Sequence, residues 1–374
     1  VKIALVLDDS LDRPDGVQQY VLTLGTYLAL RGHEVHYLCS GTTRADLPNV
    51  HSLARNVATE FNGNALRIPL PTSRRMLRDF LGRERFDVIH VQTPHSPLFA
   101  GRVVSQARRV QGSNVAIVGS FLILPMGPLS RFATRVLGMV LRGNLRRFDR
   151  LCAISPAAAE FATRSFRMPC QMIPAAVDVT SIANGARTRP HHRGRIIVCF
   201  LGRLVERKGA LELVEALARV PKKVRATMEV RLAGRGPLAE KVRDRVNTLG
   251  LTELVSMPGF VSEDDKPSFL ADADIAVFPA TGGESFGIIL VEAMAAGAGV
   301  VVGGDNPGYR SVLGDSLDVT VDPKDANAFA ALLTRLATDA GLRQSIHADQ
   351  SIRVQAFDIR VVGPAIEAFY LGEN

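Results

Sequence analysis

The stretch from Ala273 to Gly297 limits what this chain can fold into more than any other. Ala273-Asp-Ile-Ala-Val-Phe-Pro279 reads as a short buried strand, rich in Val and Ile and closed by a proline. Gly282-Gly283 makes a flexible turn, and Phe286 to Ala296 is helix-forming, with Gly297 as the C′ residue that ends it. A strand, a glycine turn and a helix N-terminus together present backbone N–H groups and a positive dipole end to whatever lies above them. Glu284 stands at the mouth of the turn. Glu292 follows two helical turns later, on the face of Ile288 and Ala295. A carboxylate beside amide donors suits a polyhydroxylated ligand that also carries an anion. Glu284 would accept from sugar hydroxyls and Glu292 from a second vicinal diol, while the amides of Ser285 to Gly287 donate. On spacing alone, an ordinary αβ unit with solvated glutamates fits equally well.

At 374 residues the chain has room for two domains, each with its own core, and 47% hydrophobic with 22% charged residues is the balance of a soluble globular protein. Cys39, Cys152, Cys170 and Cys199 show no C-x-x-C spacing and sit mostly in apolar surroundings, which favours buried thiols in a reducing cytosol over disulfides or zinc. Val1 to Leu7 is too short for a signal peptide, and no run reaches the roughly 18 apolar residues that span a bilayer. The expected location is the cytoplasm, with peripheral attachment to a membrane. The net charge of +8 is unevenly spread: residues 1–190 carry 24 Lys+Arg against 13 Asp+Glu, and the remainder 21 against 24. A polyanionic partner is therefore expected for the first half only.

Lys2 to Leu7 is a strand, Asp8 to Gly16 a turn, Val17 to Arg31 a helix with Val17, Tyr20, Val21, Leu24 and Leu28 at helical spacing, and Glu34 to Cys39 the next strand. This βαβ opening points to a parallel, doubly wound sheet. Gly16 lets a backbone N–H approach a phosphate closely. Phe61-Asn-Gly-Asn-Ala-Leu-Arg67 is a polar, glycine-containing loop. In Ser73 to Leu81, Arg74, Arg75 and Arg78 fall on one side of a helix, and Met76, Leu77 and Phe80 on another. Leu129 to Arg147 reads as a second amphipathic helix, with Arg131, Arg135, Arg142 and Arg146 on one flank. Either helix alone is most simply packed on the sheet with solvated arginines. Two in one basic domain favour an anionic membrane surface, and no aromatic-rich strand or recognised motif supports nucleic acid. His90, near a strand end, is most simply a core histidine.

Residues 181–195 are polar and form the expected linker. The second domain opens on the strand Ile196 to Leu201 and the loop Gly202-Arg-Leu-Val-Glu-Arg-Lys-Gly209, where Arg203 and Lys208 lie five residues apart and can reach one diphosphate. Asp272-Ala-Asp274 ends a helix and opens a strand, so it is read as structural, and no metal is expected.

The string Gly282-Gly-Glu-Ser-Phe-Gly-Ile-Ile-Leu-Val-Glu-Ala-Met-Ala-Ala-Gly297 resembles the carboxylate-x7-carboxylate signature of the family 4 retaining glycosyltransferases, and within them the bacterial phosphatidylinositol mannosyltransferases. The likeness extends to Gly202–Gly209, to Met172–Asp178, to Gly16-Val-Gln18 and to the C-terminal helix Asp358–Leu371. It implies the GT-B fold, an α/β architecture of two Rossmann-like domains facing a cleft: residues 1–190, completed by 358–374, and residues 191–357. It further implies hexose transfer with retention from a donor of the GDP-mannose or UDP-glucose type, with no cofactor, to a lipid acceptor such as phosphatidylinositol on the inner face of the plasma membrane. Glu284, Arg203 and Lys208 would be catalytic; Gly16, Ser285, Phe286, Gly287, Ile288 and Glu292 would hold the donor. Gln18, Asn62, Asn64 and Arg67 would hold the acceptor, and Arg74, Arg75, Arg78, Arg131 and Arg135 would meet the membrane. A transferase with a soluble sugar acceptor, and a catalytically silent relative that binds nucleotide or membrane, are the rival readings.

Three places depart from that pattern: Asp15 stands where the first glycine of the opening turn is usual, Ala175 and Ala176 replace the first two residues of an asparagine-glycine-valine-aspartate turn, and the third lies at the end of a strand. Leu122 in Val118-Gly-Ser-Phe-Leu-Ile-Leu124 stands where the family carries a histidine facing the reaction centre. A different acceptor, a replacement such as His95, and lost activity remain open. The favoured expectation is donor binding with altered acceptor use, slow or inert with phosphatidylinositol.

Overall fold

A computed structural model describes residues 1–12, 15–61, 64–70, 72–122, 142–186 and 194–373, with the backbone alone over 57–68. The chain forms two compact units. Val1–Ala176 with Ile359–Asn374 make the first, and Val177–Asp358 the second.

In the first unit the strands are β1 (Lys2–Val6), β2 (Glu34–Ser40), β3 (Val50–Ala54), β4 (Asn56–Phe61), β5 (Asn64–Pro69), β6 (Val88–Gln92), β7 (Ala116–Phe121), β8 (Arg150–Ala153) and β9 (Gln171–Met172). Seven of them form one parallel sheet in the order β3-β2-β1-β6-β7-β8-β9. β4 and β5 pair antiparallel beside it, so the segment read as a polar loop around Asn64 and Arg67 is a hairpin. The second unit holds β10 (Ile196–Leu201), β11 (Met228–Ala233), β12 (Val255–Gly259), β13 (Ile275–Phe278), β14 (Val300–Gly304) and β15 (Thr320–Val321), parallel in the order β12-β11-β10-β13-β14-β15. Parallel strands covered on both faces need apolar residues at successive positions, not alternate ones. Ile275, Ala276, Val277 and Phe278 are all buried, as are Val300, Val301 and Val302. In both sheets the order in which strands are added reverses near the middle, between β1 and β6 in one and β10 and β13 in the other. Open α/β sheets take ligands outside the carboxyl ends of their strands at such points.

The chain enters the second unit at Val177, ahead of the linker expected over 181–195. The cause is the helix Val179–Gly185, capped by the Asp178 carboxylate at 2.8 Å from the Ser181 amide. Its last carbonyl, that of Gly185, accepts from Ser268 Oγ at 3.2 Å, which holds it on the second unit. The C-terminal helix Ile359–Leu371 belongs to the first. There Tyr370 Oη lies 2.8 Å from His90 Nδ1, and Arg150 donates to the carbonyls of Phe369 and Tyr370 at 3.0 and 2.9 Å. Glu367 binds Tyr27 Oη and His33 Nε2, each at 2.9 Å.

His90 is a core residue as expected. Its other nitrogen is 2.6 Å from Ser120 Oγ, and burial pushes its pKa down to about 3. Asp272 and Asp274 carry structure: Asp272 pairs with Arg231 at 3.1 Å, and Asp274 accepts the Ile197 amide at 2.8 Å. Cys39, Cys152 and Cys199 are buried, and burial raises their thiols to about 12.

Candidate active site

The switch point of the second unit brings two loops side by side: 202–209 after β10 and 279–287 after β13. The Thr281 amide donates to the Arg207 carbonyl at 2.9 Å. Gly209, at φ 74°, lies so close to the Pro279 carbonyl that a Cβ there would fall 1.9 Å from its oxygen. Only glycine permits that approach.

The result is a cluster. Lys208 Nζ lies 2.8 Å from Glu284 Oε1, and the Arg207 guanidinium donates to the same oxygen. The short 3₁₀ turn Glu206–Lys208 sends both consecutive cations toward that carboxylate. Burial alone would raise the Glu284 pKa, but Lys208 and Arg207 together hold it below the usual carboxylate range. Burial, with Arg207 and Arg203 nearby, lowers that of Lys208 despite the partnership. Both of these bonds end on the one oxygen Oε1. Phe200, Leu201, Lys208, Phe278, Ile289 and Tyr309 line a small cavity beside the pair.

The helix after the turn runs Ile288–Ala295, two residues later than the sequence pattern suggests. Gly287 stops it from starting earlier with φ 109°, and a Cβ there would meet the Tyr309 ring at 2.6 Å. Phe286 is therefore a core side chain, packed edge-on against Phe357 at 5.4 Å, and only its backbone can serve a ligand. Gly297, at φ 83°, closes the helix as expected, with Ala298 N–H bound to Ala293 O and Gly297 N–H to Met294 O, each at 3.1 Å. Glu292 is buried, and its Oε1 accepts from Lys266 Nζ at 2.7 Å. Lys266 also binds Glu263 at 2.6 Å, so one ammonium is shared by two carboxylates. Burial is the main opposing influence on Lys266, yet that double partnership raises its pKa. Burial, helped by Glu263, raises that of Glu292.

Of the predicted catalytic group, the structure joins Glu284 and Lys208 directly, and Arg203 lies part-buried on the same loop. Arg207 was missing from the sequence reading. Its signal was adjacency: a second cation immediately before Lys208.

In the first unit, Gly16 is the exposed first residue of the helix Gly16–Leu30. Gln18 is buried, with its Nε2 spent on the Ser10 carbonyl at 3.2 Å and Asp9 at 3.5 Å. Asn62 lies outside the described residues, and Asn64 and Arg67 are described only as backbone of β5. Arg74, Arg75 and Arg78 are exposed on the helix Arg74–Glu84. Met76, placed by sequence on the apolar side, is exposed with them, and Leu77, Phe80 and Leu81 make the buried face. Arg131 and Arg135 lie outside the described residues. Among these, no helix is long and apolar enough to cross a membrane. Leu122 is buried at the end of β7.

Two family models match the chain: Glycosyltransferase Family 4 over residues 14–181 and Glycosyl transferases group 1 over 186–350. The chain is 32% identical to the phosphatidyl-myo-inositol mannosyltransferase of Mycobacterium tuberculosis (strain ATCC 25618 / H37Rv), over 99% of this chain and 96% of that protein. It is 26% identical to the GDP-mannose-dependent alpha-(1-6)-phosphatidylinositol monomannoside mannosyltransferase of Mycolicibacterium smegmatis, over 90% and 89%. Among solved structures, Anabaena Alr3699/HepE in complex with UDP and glucose superposes with a TM-score of 0.76 at 18% identity, over 99% of both chains. The fold of the chain is GT-B.

Proposed function

The chain belongs to the glycosyltransferase family that includes the phosphatidyl-myo-inositol mannosyltransferases, and from that premise we propose that it moves mannose from GDP-mannose to a phosphatidylinositol lipid. The observation that carries this reading is the Glu284–Arg207–Lys208 cluster at the head of the helix Ile288–Ala295. In the reaction the bond from the anomeric carbon to the diphosphate oxygen breaks, a bond to an acceptor hydroxyl oxygen forms with retention of configuration, and the hydroxyl proton passes to the departing diphosphate. Negative charge grows on the departing diphosphate. We assign its stabilisation to Lys208, Arg203 and the first amides of the helix, which are fixed before the charge appears. Glu284 uses Oε2 on the sugar hydroxyls while its other oxygen keeps the two cations in place. Glu292, held by Lys266, takes the ribose diol.

The acceptor is lipid-borne, so the basic first unit works at an anionic surface on the cytoplasmic side, with Arg74, Arg75 and Arg78 turned outward. A second reading rests on Leu122, whose side chain offers no polar atom at the end of β7: donor binding with a different acceptor.

Labelled GDP-mannose and UDP-glucose, each incubated with phosphatidylinositol vesicles, a total lipid extract and soluble sugars, test both. Mannosylated phosphatidylinositol from GDP-mannose is expected. Transfer only to another lipid or to a soluble sugar would favour the second reading, and nucleotide binding without any transfer would leave a silent relative.

A further inference from the structure

Three unusual features meet on the loop that follows β6 in the first unit. Thr93 is β-branched yet has φ 61°, a left-handed conformation that such residues rarely enter. Pro94 and Pro97 stiffen the residues after it, and the Ser96 amide closes the turn on the Thr93 carbonyl at 3.0 Å. This strained loop delivers His95 among Phe121, Phe161 and Phe166, with ring centroids 5.7, 5.8 and 5.5 Å away.

A fourth phenylalanine would complete that cluster without burying a polar atom. The residue there is instead a histidine, and its Nδ1 is buried with no hydrogen-bond partner. Orphaned N–H donors are rarer in folded proteins than orphaned acceptors, so Nδ1 is assigned the lone pair and Nε2 the proton. The residue as a whole keeps some exposure. Its burial among the phenylalanines pushes its pKa down to about 4, so at neutral pH it is an uncharged donor and not an acid. The loop also lies at the first unit's switch point. The Asp8 carboxylate of the neighbouring β1 loop accepts from the Ser96 hydroxyl and from the Ala100 amide at 2.7 Å, which ties the two loops together.

We propose that His95, through Nε2–H, is an acceptor-binding residue that donates to an oxygen of the polyol receiving the sugar. The strain at Thr93 and the unpaired Nδ1 are then the local cost of holding one donor at a fixed position.

The inference rests on the function proposed above, and one set of measurements separates the two. Wild type, His95→Phe and His95→Gln are assayed with GDP-mannose and phosphatidylinositol vesicles, and GDP affinity is measured by calorimetry. The His95 ring ¹⁵N resonances are followed while myo-inositol 1-phosphate is added. His95→Phe should melt no lower than wild type and bind GDP equally, yet lose about tenfold or more in kcat/KM for the acceptor. His95→Gln, which keeps a donor, should recover part of the loss, and the Nε2 resonance should move with the polyol. Wild-type acceptor kinetics in His95→Phe, or an Nε2 resonance indifferent to inositol phosphate, overturns the inference. A shifting Nε2 resonance in a protein that transfers nothing to phosphatidylinositol sinks the proposed function and leaves this inference standing.

Discussion

Glu284 receives two cations on one oxygen in a part-buried place, so removing the carboxylate leaves two cations without it, and removing either cation weakens its hold. Glu284→Gln and Lys208→Ala should each lower transfer by about a hundredfold, corresponding to about 3 kcal/mol, while the far-ultraviolet circular dichroism stays that of wild type. Near wild-type turnover in both would remove the cluster from the reaction. His90 sets a different test. Buried neutral between Tyr370 and Ser120, it has a folded pKa of about 3 against about 6.5 in an unfolded chain. The unfolded state therefore binds the extra proton first. The contribution is complete above pH 6.5 and erodes as pH falls toward 3, at no more than about 1.4 kcal/mol per pH unit. Urea unfolding at pH 7 and pH 5 should show a smaller loss of stability in His90→Gln than in wild type. Equal losses would mean that His90 is not the titrating group. At this scale the sequence was informative where chemistry and spacing coincide, at Glu284 and Lys208. It was silent on Arg207, because the direction of a side chain in a three-residue turn depends on the neighbouring loop.

The elements were legible where burial is two-sided: β13 and β14 announce themselves as continuous apolar runs. Starts and faces were harder. The helix begins at Ile288 because Gly287 is left-handed, and no periodicity reports a φ angle. Met76 shares the apolar chemistry of Leu77 and Phe80 but projects to solvent, a distinction set by how the helix Arg74–Glu84 rolls on the sheet. The hairpin β4–β5 was hidden by the polar residues around its turn. The loop pair at the second switch point depends on Gly209. Gly209→Ala imposes both a left-handed alanine, costing about 1–2 kcal/mol, and a collision with the Pro279 carbonyl. It should lower the thermal midpoint and reduce transfer at least as much as Lys208→Ala does, because the loop must retreat with Arg207 and Lys208 on it. An alanine variant with wild-type melting and turnover would contradict this account.

Across the whole molecule, the excess of positive charge lies in residues 1–190, and Arg74, Arg75 and Arg78 are exposed there. Sedimentation with anionic vesicles should fall as salt rises, since charges are screened beyond roughly 8 Å at physiological ionic strength. Replacing the three arginines by serine should weaken vesicle binding and leave the melting temperature close to wild type, because exposed charges contribute little to stability. Equal binding to neutral and anionic vesicles, or none to either, would take the membrane out of the picture. The two-domain α/β organisation was readable from the βαβ opening and the second strand–turn–helix. The crossing at Val177 was not, since the helix Val179–Gly185 looks like linker until its partners are known. The return of Ile359–Leu371 to the first unit has a further consequence, in time. Chain order and folding order differ. On a ribosome, β1 to β9 emerge first but wait for Glu367, Phe369 and Tyr370, which supply partners for Tyr27, His33, His90 and Arg150. The second unit, Val177–Asp358, is complete before those residues are made, so the unit whose strands are made before it is expected to close after it.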